Sequence, residues 1–236
     1  MNRDYFISVA IATYNGEKFI KEQLDSILKQ LNENDEVIIS DDGSTDKTVS
    51  IIKSYNDKRI KLIKGPHKGI KENFANAIKK SSGKYIFLSD QDDIWMNNKV
   101  EIILKCFEKY KCTLIIHDAI IVDENKKNVC DSFFRYRNSK NGIVKNIIKN
   151  SYIGCCMCFD SSIKKYILPI PNRIEMHDQW IGVINEKIGK SVFLNYKLIY
   201  YRRHNNNASS MKHYPLMKMI KNRIVFIYEL VRKKIW

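Results

Sequence analysis

Three carboxylates fall within four positions of the stretch SDQDDIW: Asp90, Asp92 and Asp93. Like charges that close repel one another, so the cluster is expected to serve something that offsets the repulsion. Asp90 and Asp92 stand two apart directly after the apolar run KYIFLS (Lys84 to Ser89). Alternate residues of an extended chain point the same way, so the pair can share a divalent cation with a phosphate-bearing ligand. Mg²⁺ and Mn²⁺ prefer such hard oxygens and keep open positions for diphosphate oxygens. Acidic residues after a strand also cap the next helix, so the cluster alone leaves both readings open. Two familiar motifs are excluded by spacing. An EF-hand needs an oxygen ligand and a glycine where Ile94 and Trp95 stand, although Glu101 lies at a suitable distance, and a P-loop needs a glycine where Ile184 precedes Gly189–Lys190–Ser191.

The elements that must position these residues alternate between two periods. Phe6 to Ala12 is an apolar run of strand type, followed by Ile20, Leu24, Ile27, Leu28 and Leu31 on one helix face. Glu36 to Ser40 is a second strand, stopped by DDGSTD, with Ser44 expected to cap a helix carrying Val49, Ile51 and Ile52. IKLIK and a helix from about Gly69 to Lys80 precede the strand that ends at the acidic cluster. Strand–helix alternation of this kind predicts an α/β fold with a mostly parallel, Rossmann-like central sheet flanked by helices. In such sheets ligands bind beyond the carboxyl ends of the strands. The polar motifs fall at those ends: Thr13–Tyr14–Asn15, Asp41 to Ser44, and Asp90 to Asp93. The second half is less regular, with strands expected at TLIIHDAIIV, CCMCF and VFLNYKLIYY and a helix after HDQW. No Gly/Ser linker or internal repeat divides the chain.

The whole sequence bounds the function. At 236 residues, 44% of them apolar, it is long enough for one substantial core. The net charge of +15 attracts polyanions in general, but it is spread along the chain except near its end. The N-terminal apolar stretch is too short for a secretory signal and no run approaches a membrane span, so a cytoplasmic location is expected. The six cysteines should then be reduced, and GCCMCF reads as a buried strand rather than a metal site. NAS at Asn207 to Ser209 reads as an accidental match to a glycosylation acceptor. His117 and Asp118 read as a satisfied structural pair, and His67 and His213 as surface residues. Trp95 and Trp180 can stack on a ligand or anchor packing; Arg202 and Arg203 can reach towards a phosphate-bearing ligand.

SVAIATYNGEKFIKEQLDSILKQ, VIISDDGSTDKT, GKYIFLSDQDDIW and HDQW occur in the order and approximate spacing of the inverting family 2 glycosyltransferases of the GT-A fold. SDQDDIW with HDQW most resembles the bacterial rhamnosyltransferase-like branch, which builds capsule, exopolysaccharide or lipopolysaccharide chains. The resemblance covers roughly Ile7 to His204. It implies a GT-A domain over residues 1–210, a nucleoside diphosphate sugar donor (dTDP-rhamnose or a UDP-hexose), a saccharide or lipid-linked acceptor, and Mn²⁺ or Mg²⁺ as cofactor. By the same resemblance Thr13 and Tyr14 line the nucleotide pocket, Asp42 contacts the base, and Asp90 lies near the ribose. Asp92 lies on the metal, His204 helps hold the diphosphate or the metal, and Trp95 belongs with the donor-binding residues. Asp178 is the general base, with His177 standing where the family usually has glutamate.

Two other classes fit parts of the sequence. A sugar-nucleotide nucleotidyltransferase shares the alternating pattern but would carry a glycine-rich, basic signature near its N-terminus, which ATYNGEKF is not. A polyanion-binding protein rests on net charge alone; no specific nucleic-acid partner is expected. Residues 211–236 carry seven Lys or Arg against one Glu and read as a basic amphipathic helix. Its stripe, Leu216, Ile220, Ile224, Ile227, Val231 and Ile235, can dock on the domain or lie on the inner face of the cell membrane, while Val225, Phe226 and Trp236 fall off the stripe.

Overall fold

The computed structural model describes residues 3–205, 207 and 214–234. The expected boundary at 210/211, His213, Ser209, Ile235 and Trp236 lie outside these residues.

The first half is built as its periodicity demands. β1 (Ile7–Thr13), α1 (Ile20–Leu28), β2 (Glu36–Asp41), α2 (Thr48–Ser54), β3 (Ile60–Lys64), α3 (Ile70–Lys80) and β4 (Tyr85–Ser89) alternate, and β3, β2, β1 and β4 lie side by side and parallel. β1, β2 and β4 are buried along their whole length, which is why they read as continuous apolar runs. α1 covers the sheet with Ile20, Leu24 and Ile27, and α3 with Phe74, Ala77 and Ile78. Gly83 lets the turn into β4 graze β1, since a Cβ there would sit 2.5 Å from the Ile7 carbonyl carbon. The register pairs Thr13 with Asp41 and Ile11 with Ser89, so the three strands end together and their loops share one edge.

The second half curls the sheet. β5 (Ile94–Trp95), α4 (Lys99–Tyr110), β6 (Leu114–Asp123), β7 (Asn128–Cys130), α5 (Phe133–Arg137), α6 (Ile143–Ile148), β8 (Met157–Asp160), α7 (Lys164–Ile167), α8 (His177–Ile188), β9 (Ser191–Arg203) and α9 (Leu216–Arg232) complete the chain. β8 sits antiparallel between β4 and β6, β9 runs parallel to β6, and β5 closes the far edge against β9. β6 bends at His117 and Asp118, where its register with β9 shifts. The Asp118 carboxylate makes that bend by accepting from Ala119 N (2.8 Å), Phe134 N (2.9 Å) and the Ser132 hydroxyl (2.6 Å). Asp118 is satisfied as expected, but His117 is only half so: its Nδ1 meets the Asp118 carbonyl (2.8 Å), while its buried Nε2 has no hydrogen-bond partner.

Three local expectations are corrected. Ser44 does not cap α2; its hydroxyl turns back to Asp41 (2.5 Å), and Asp46 instead accepts from Thr48 N (2.9 Å). Gly154 to Cys156 form a single 3-10 turn, and only Met157 onward is strand. The HDQW motif is itself the first turn of α8 rather than the lead-in to it. All six cysteines are free thiols. β5, β7 and α4 to α7 were not foreseen.

α9 docks through the residues off its stripe: Phe226 meets Trp180 edge-on at 6.0 Å, and Glu229 and Leu230 are buried beside it. The expected stripe points outward, with Leu216 68%, Ile224 62% and Val231 66% exposed. No helix among the described residues is long and apolar enough to cross a membrane.

Candidate active site

The aligned strand ends open into a cavity of about 1100 Å³. One wall is shaped by Asp41, which β2 buries at its last position. One Asp41 oxygen accepts from Gly43 N (3.2 Å) and Ser44 N (2.9 Å), the other from the Thr13 hydroxyl (3.0 Å) and the Ser44 hydroxyl. This folds DDGS into a turn that leaves Asp42 facing the cavity. Gly43 adopts φ +95°, and a Cβ there would lie 2.3 Å from His67 Cε1, so the position requires glycine. Asp42 accepts from His67 N (2.7 Å) and Gly69 N (2.8 Å), which ties the loop before α3 to the strand ends. Tyr14 is 56% exposed at the mouth and is locked to the acidic loop by Gln91, which accepts from Tyr14 N (3.0 Å) and donates to its carbonyl (3.1 Å). His67 is exposed, as expected, and lines the mouth of the cavity with these groups.

The carboxylates of the acidic cluster separate into different environments. Asp92 reaches His204 Nε2 (2.8 Å) and accepts from Asn207 Nδ2 (3.1 Å). His204 stacks on Phe19 (4.6 Å), the Arg202 guanidinium lies over that ring at 4.9 Å, and Glu22 holds Arg202 at 2.5 Å. Arg202 is thus a buried brace that does not line the cavity, whereas Arg203 does. Asp93 is wholly buried; one oxygen accepts from Arg202 N (3.0 Å) and the other has no hydrogen-bond partner. Asp90 faces the cavity, and its carboxylate, that of Asp93 and the Cys155 thiol bring donor atoms within 4.8 Å of one another. Burial, then the charges of Asp93 and Asp92, hold the Asp90 carboxyl well above its usual range. Burial and Asp92 push Asp93 up to about 7. Beneath them Lys99 lies over the Trp95 ring at 4.0 Å and is pushed down to about 8 by burial.

Carboxylates crowded at this cost, one with a buried oxygen lacking a partner, and an imidazole beside Asp92 suit a divalent cation of the Mn²⁺ or Mg²⁺ type. Asp90 and Asp92 both line the cavity from which such an ion would be reached, so the residues fit the group.

Asp178 and His177 stand in the first turn of α8, in the same cavity. Asp178 is buried and accepts from Gln179 N (2.6 Å) and Asn150 Nδ2 (3.2 Å). Burial pushes its carboxyl up to about 6 although those donors and the Arg137 charge pull the other way. His177 stacks on Phe74 (4.3 Å), is pushed down to about 4 by burial, and leaves both ring nitrogens without a partner. A Cβ on Gly154 would lie 2.8 Å from His177 Nε2, so a bare backbone is what admits the ring.

Thr13, Tyr14, Asp42, Asp90, Asp92 and Asp178 therefore share one cavity, with His204 touching it through Asp92. Trp95 does not: it is 1% exposed, wedged between Phe87 and Lys99, and cannot stack on a ligand. Trp180 is equally buried and donates its indole N–H to the Ile167 carbonyl (2.9 Å). Both rings are packing anchors, since neither leaves a face open to the cavity. The sequence reading named Asp93 in the acidic cluster without giving it a role and read Cys155 as part of a buried strand, whereas the structure sets both beside Asp90. It did not single out Gln91, Asn150, Arg137 and Lys149; Gln91 lies inside the acidic motif, and the others sit in segments with no local pattern.

The family model described as Glycosyl transferase family 2 matches residues 8–167. The UDP-Glc:alpha-D-GlcNAc-diphosphoundecaprenol beta-1,3-glucosyltransferase WfgD of Escherichia coli is 26% identical over 241 residues, covering 97% of this chain and 92% of that protein. The dTDP-rhamnosyl transferase RfbG of Shigella flexneri is 28% identical over 217 residues, covering 84% and 72%. Residues 1–349 of TarS from S. aureus, solved with UDP-GlcNAc, superpose with a TM-score of 0.74 at 20% identity, covering 94% of this chain and 66% of that one. The mannosyltransferase PcManGT of Pyrobaculum calidifontis, solved with GDP-Man and Mn²⁺, gives 0.62 at 16% identity and covers 83% and 56%. The two solved structures are similar to this chain in fold.

Proposed function

The chain belongs to glycosyl transferase family 2, and from that premise we propose how its cavity moves a sugar. The enzyme is an inverting glycosyltransferase of bacterial surface-polysaccharide synthesis. Its donor is a nucleoside diphosphate sugar, dTDP-rhamnose or a UDP-hexose, and its acceptor a saccharide or lipid-linked saccharide. The observation that carries this reading is a buried carboxylate, Asp178, sharing one cavity with the acidic strand end of Asp90 and Asp92.

Thr13, Tyr14 and Asp42 hold the nucleoside, with Asp90 beside the ribose. Asp92 and His204 would hold the divalent cation, which when bound neutralises charge developing on the leaving diphosphate. Asp178 accepts the proton of the attacking acceptor hydroxyl as the new bond forms. Burial suits it to the task, because a carboxyl pushed up to about 6 is a stronger base than a solvated one and is still ionised at neutral pH. His177, neutral at that pH, lies beside the base without competing for its charge. One displacement inverts the anomeric carbon, and no covalent intermediate is required. The outward apolar stripe of α9, with its Lys and Arg neighbours, supports peripheral contact with the inner face of the cell membrane.

Asp178→Asn keeps the shape and removes the base. Transfer should fall at least about 100-fold, while titration with the donor nucleotide gives an unchanged affinity. Undiminished transfer by this variant would remove Asp178 from the mechanism.

A further inference from the structure

Phe19 stands immediately before α1 and Glu22 in its first turn, and both meet the end of β9. Glu22 accepts from Arg202 Nη2 (2.5 Å), and among the described residues Arg202 forms an ion pair with no other carboxylate. The Arg202 side chain is 4% exposed, and its Nε has no hydrogen-bond partner. From that anchor the guanidinium lies over the Phe19 ring at 4.9 Å, and the same ring stacks on His204 at 4.6 Å. His204 Nε2 in turn meets Asp92 at 2.8 Å. An unbroken chain of contacts therefore runs from Glu22 through Arg202, Phe19 and His204 to Asp92. Glu22, Phe19 and Arg202 do not line the cavity.

The backbone at this strand end is fixed by other groups. Asp93 accepts from Arg202 N (3.0 Å), and Asn207 accepts from His204 N (2.6 Å) while donating to the Arg202 carbonyl (3.3 Å). Those bonds place the His204 backbone, and the Phe19 face sets the plane of its ring. A buried guanidinium keeps its place only while its charge is compensated. Without the Glu22 charge Arg202 is drawn towards water and off Phe19, and the His204 ring loses its fixed plane. Affinity for a metal responds to the groups that orient its ligands, not to the ligands alone. Glu22 has a second cation, Lys126 in the turn between β6 and β7 (3.0 Å), but both partners of that pair are solvated, at 56% and 40% exposure. Pairs of that kind contribute little.

We propose that Glu22 is a positioning residue for the metal: through Arg202 and Phe19 it holds the His204 imidazole in the plane in which that ring meets Asp92 and would meet the cation. The proposal rests on the transferase reading, which puts the cation at Asp92 and His204, and deepens it by giving a residue outside the cavity control over metal-dependent donor binding.

The test is Glu22→Gln in the full chain, which keeps the shape and removes the charge, read in two ways. The first is the NMR spectrum of the histidine rings without metal or nucleotide, with His204 assigned from its loss in His204→Gln. Stacking on Phe19 should displace the His204 ring protons upfield, and Glu22→Gln should return them towards the position of an unstacked ring. The second is calorimetric titration with UDP and with dTDP, each with and without Mn²⁺. Glu22→Gln should weaken the Mn²⁺-dependent affinity about tenfold and leave binding without metal unchanged. Lys126→Ala should change it less than about twofold. Glu22→Gln added to Arg202→Met should weaken it no further than Arg202→Met alone, as expected of residues acting through one contact. Unchanged His204 signals or unchanged Mn²⁺-dependent affinity in Glu22→Gln would overturn the proposal. So would an equal loss with and without Mn²⁺, which would give Glu22 a general structural role, or a tenfold loss in Lys126→Ala. A wild-type chain that binds neither nucleotide overturns the transferase reading. In that case displaced His204 signals in Glu22→Gln still support the positioning role, and unchanged ones overturn it.

Discussion

The environment of Asp178 makes the pH dependence of transfer a quantitative test of the base. Its carboxyl is pushed up to about 6, chiefly by burial, and a protonated carboxyl cannot accept the acceptor's proton. Transfer should therefore be full above about pH 7 and should fall as the pH drops through about 6. Asn150 supplies one of the two donors that hold the ionised form, at 3.2 Å. A hydrogen bond to a charged group contributes about 1.5 kcal/mol, which corresponds to about one pH unit. In Asn150→Ala the acidic limb should move from about 6 to about 7, because losing a donor disfavours the charged form. At pH 6 the ionised fraction then drops from about one half to about one tenth, so kcat/KM falls about fivefold. At pH 8 the two proteins should differ little. The assay is nucleotide release from a sugar donor at saturating metal, read as kcat/KM from about pH 5 to 8.5. A limb that stays at the same pH in Asn150→Ala, or a profile flat through 6, would refute the assignment of Asp178.

Asp92→Ala should lower metal-dependent nucleotide affinity by at least about tenfold, measured by titration with and without Mn²⁺, because it removes the carboxylate that His204 and Asn207 hold in place. Phe226→Ala should cost about 3 kcal/mol, read as a lowered denaturant midpoint together with faster proteolysis within α9, since that ring is the main apolar contact of the helix with Trp180. Unchanged protease resistance in α9 would mean that Leu230 and Glu229 hold the helix without it.

Much of the first half was legible because a parallel sheet buried on both faces leaves an unmistakable alternation of apolar runs and helical stripes. Thr13, Asp42, Asp90 and Asp92 follow from that alternation, since parallel strands that end together must bring their loops together. Asp178 could not be reached this way, because no periodicity tells that the first turn of α8 folds back over the strand ends. It was reached only through resemblance. Trp95 misled because its motif neighbours face the cavity while β5, two residues long, turns the ring inward towards Phe87. For α9 the sequence left open which apolar side docks, and the structure decides it: Phe226 and Leu230 bury the narrower apolar side, and the longer stripe is left exposed. Asn150 and Arg137 carry no signal in one sequence, because tertiary structure alone brings them to Asp178.

The most direct test of the sugar-nucleotide site is calorimetric titration of the purified protein with UDP and with dTDP, each in the presence and absence of Mn²⁺. Saturable binding of at least one nucleotide that requires Mn²⁺ is expected, and the preferred base narrows the donor. No binding under any of the four conditions would contradict the site and leave the acidic cluster a structural feature of the strand end.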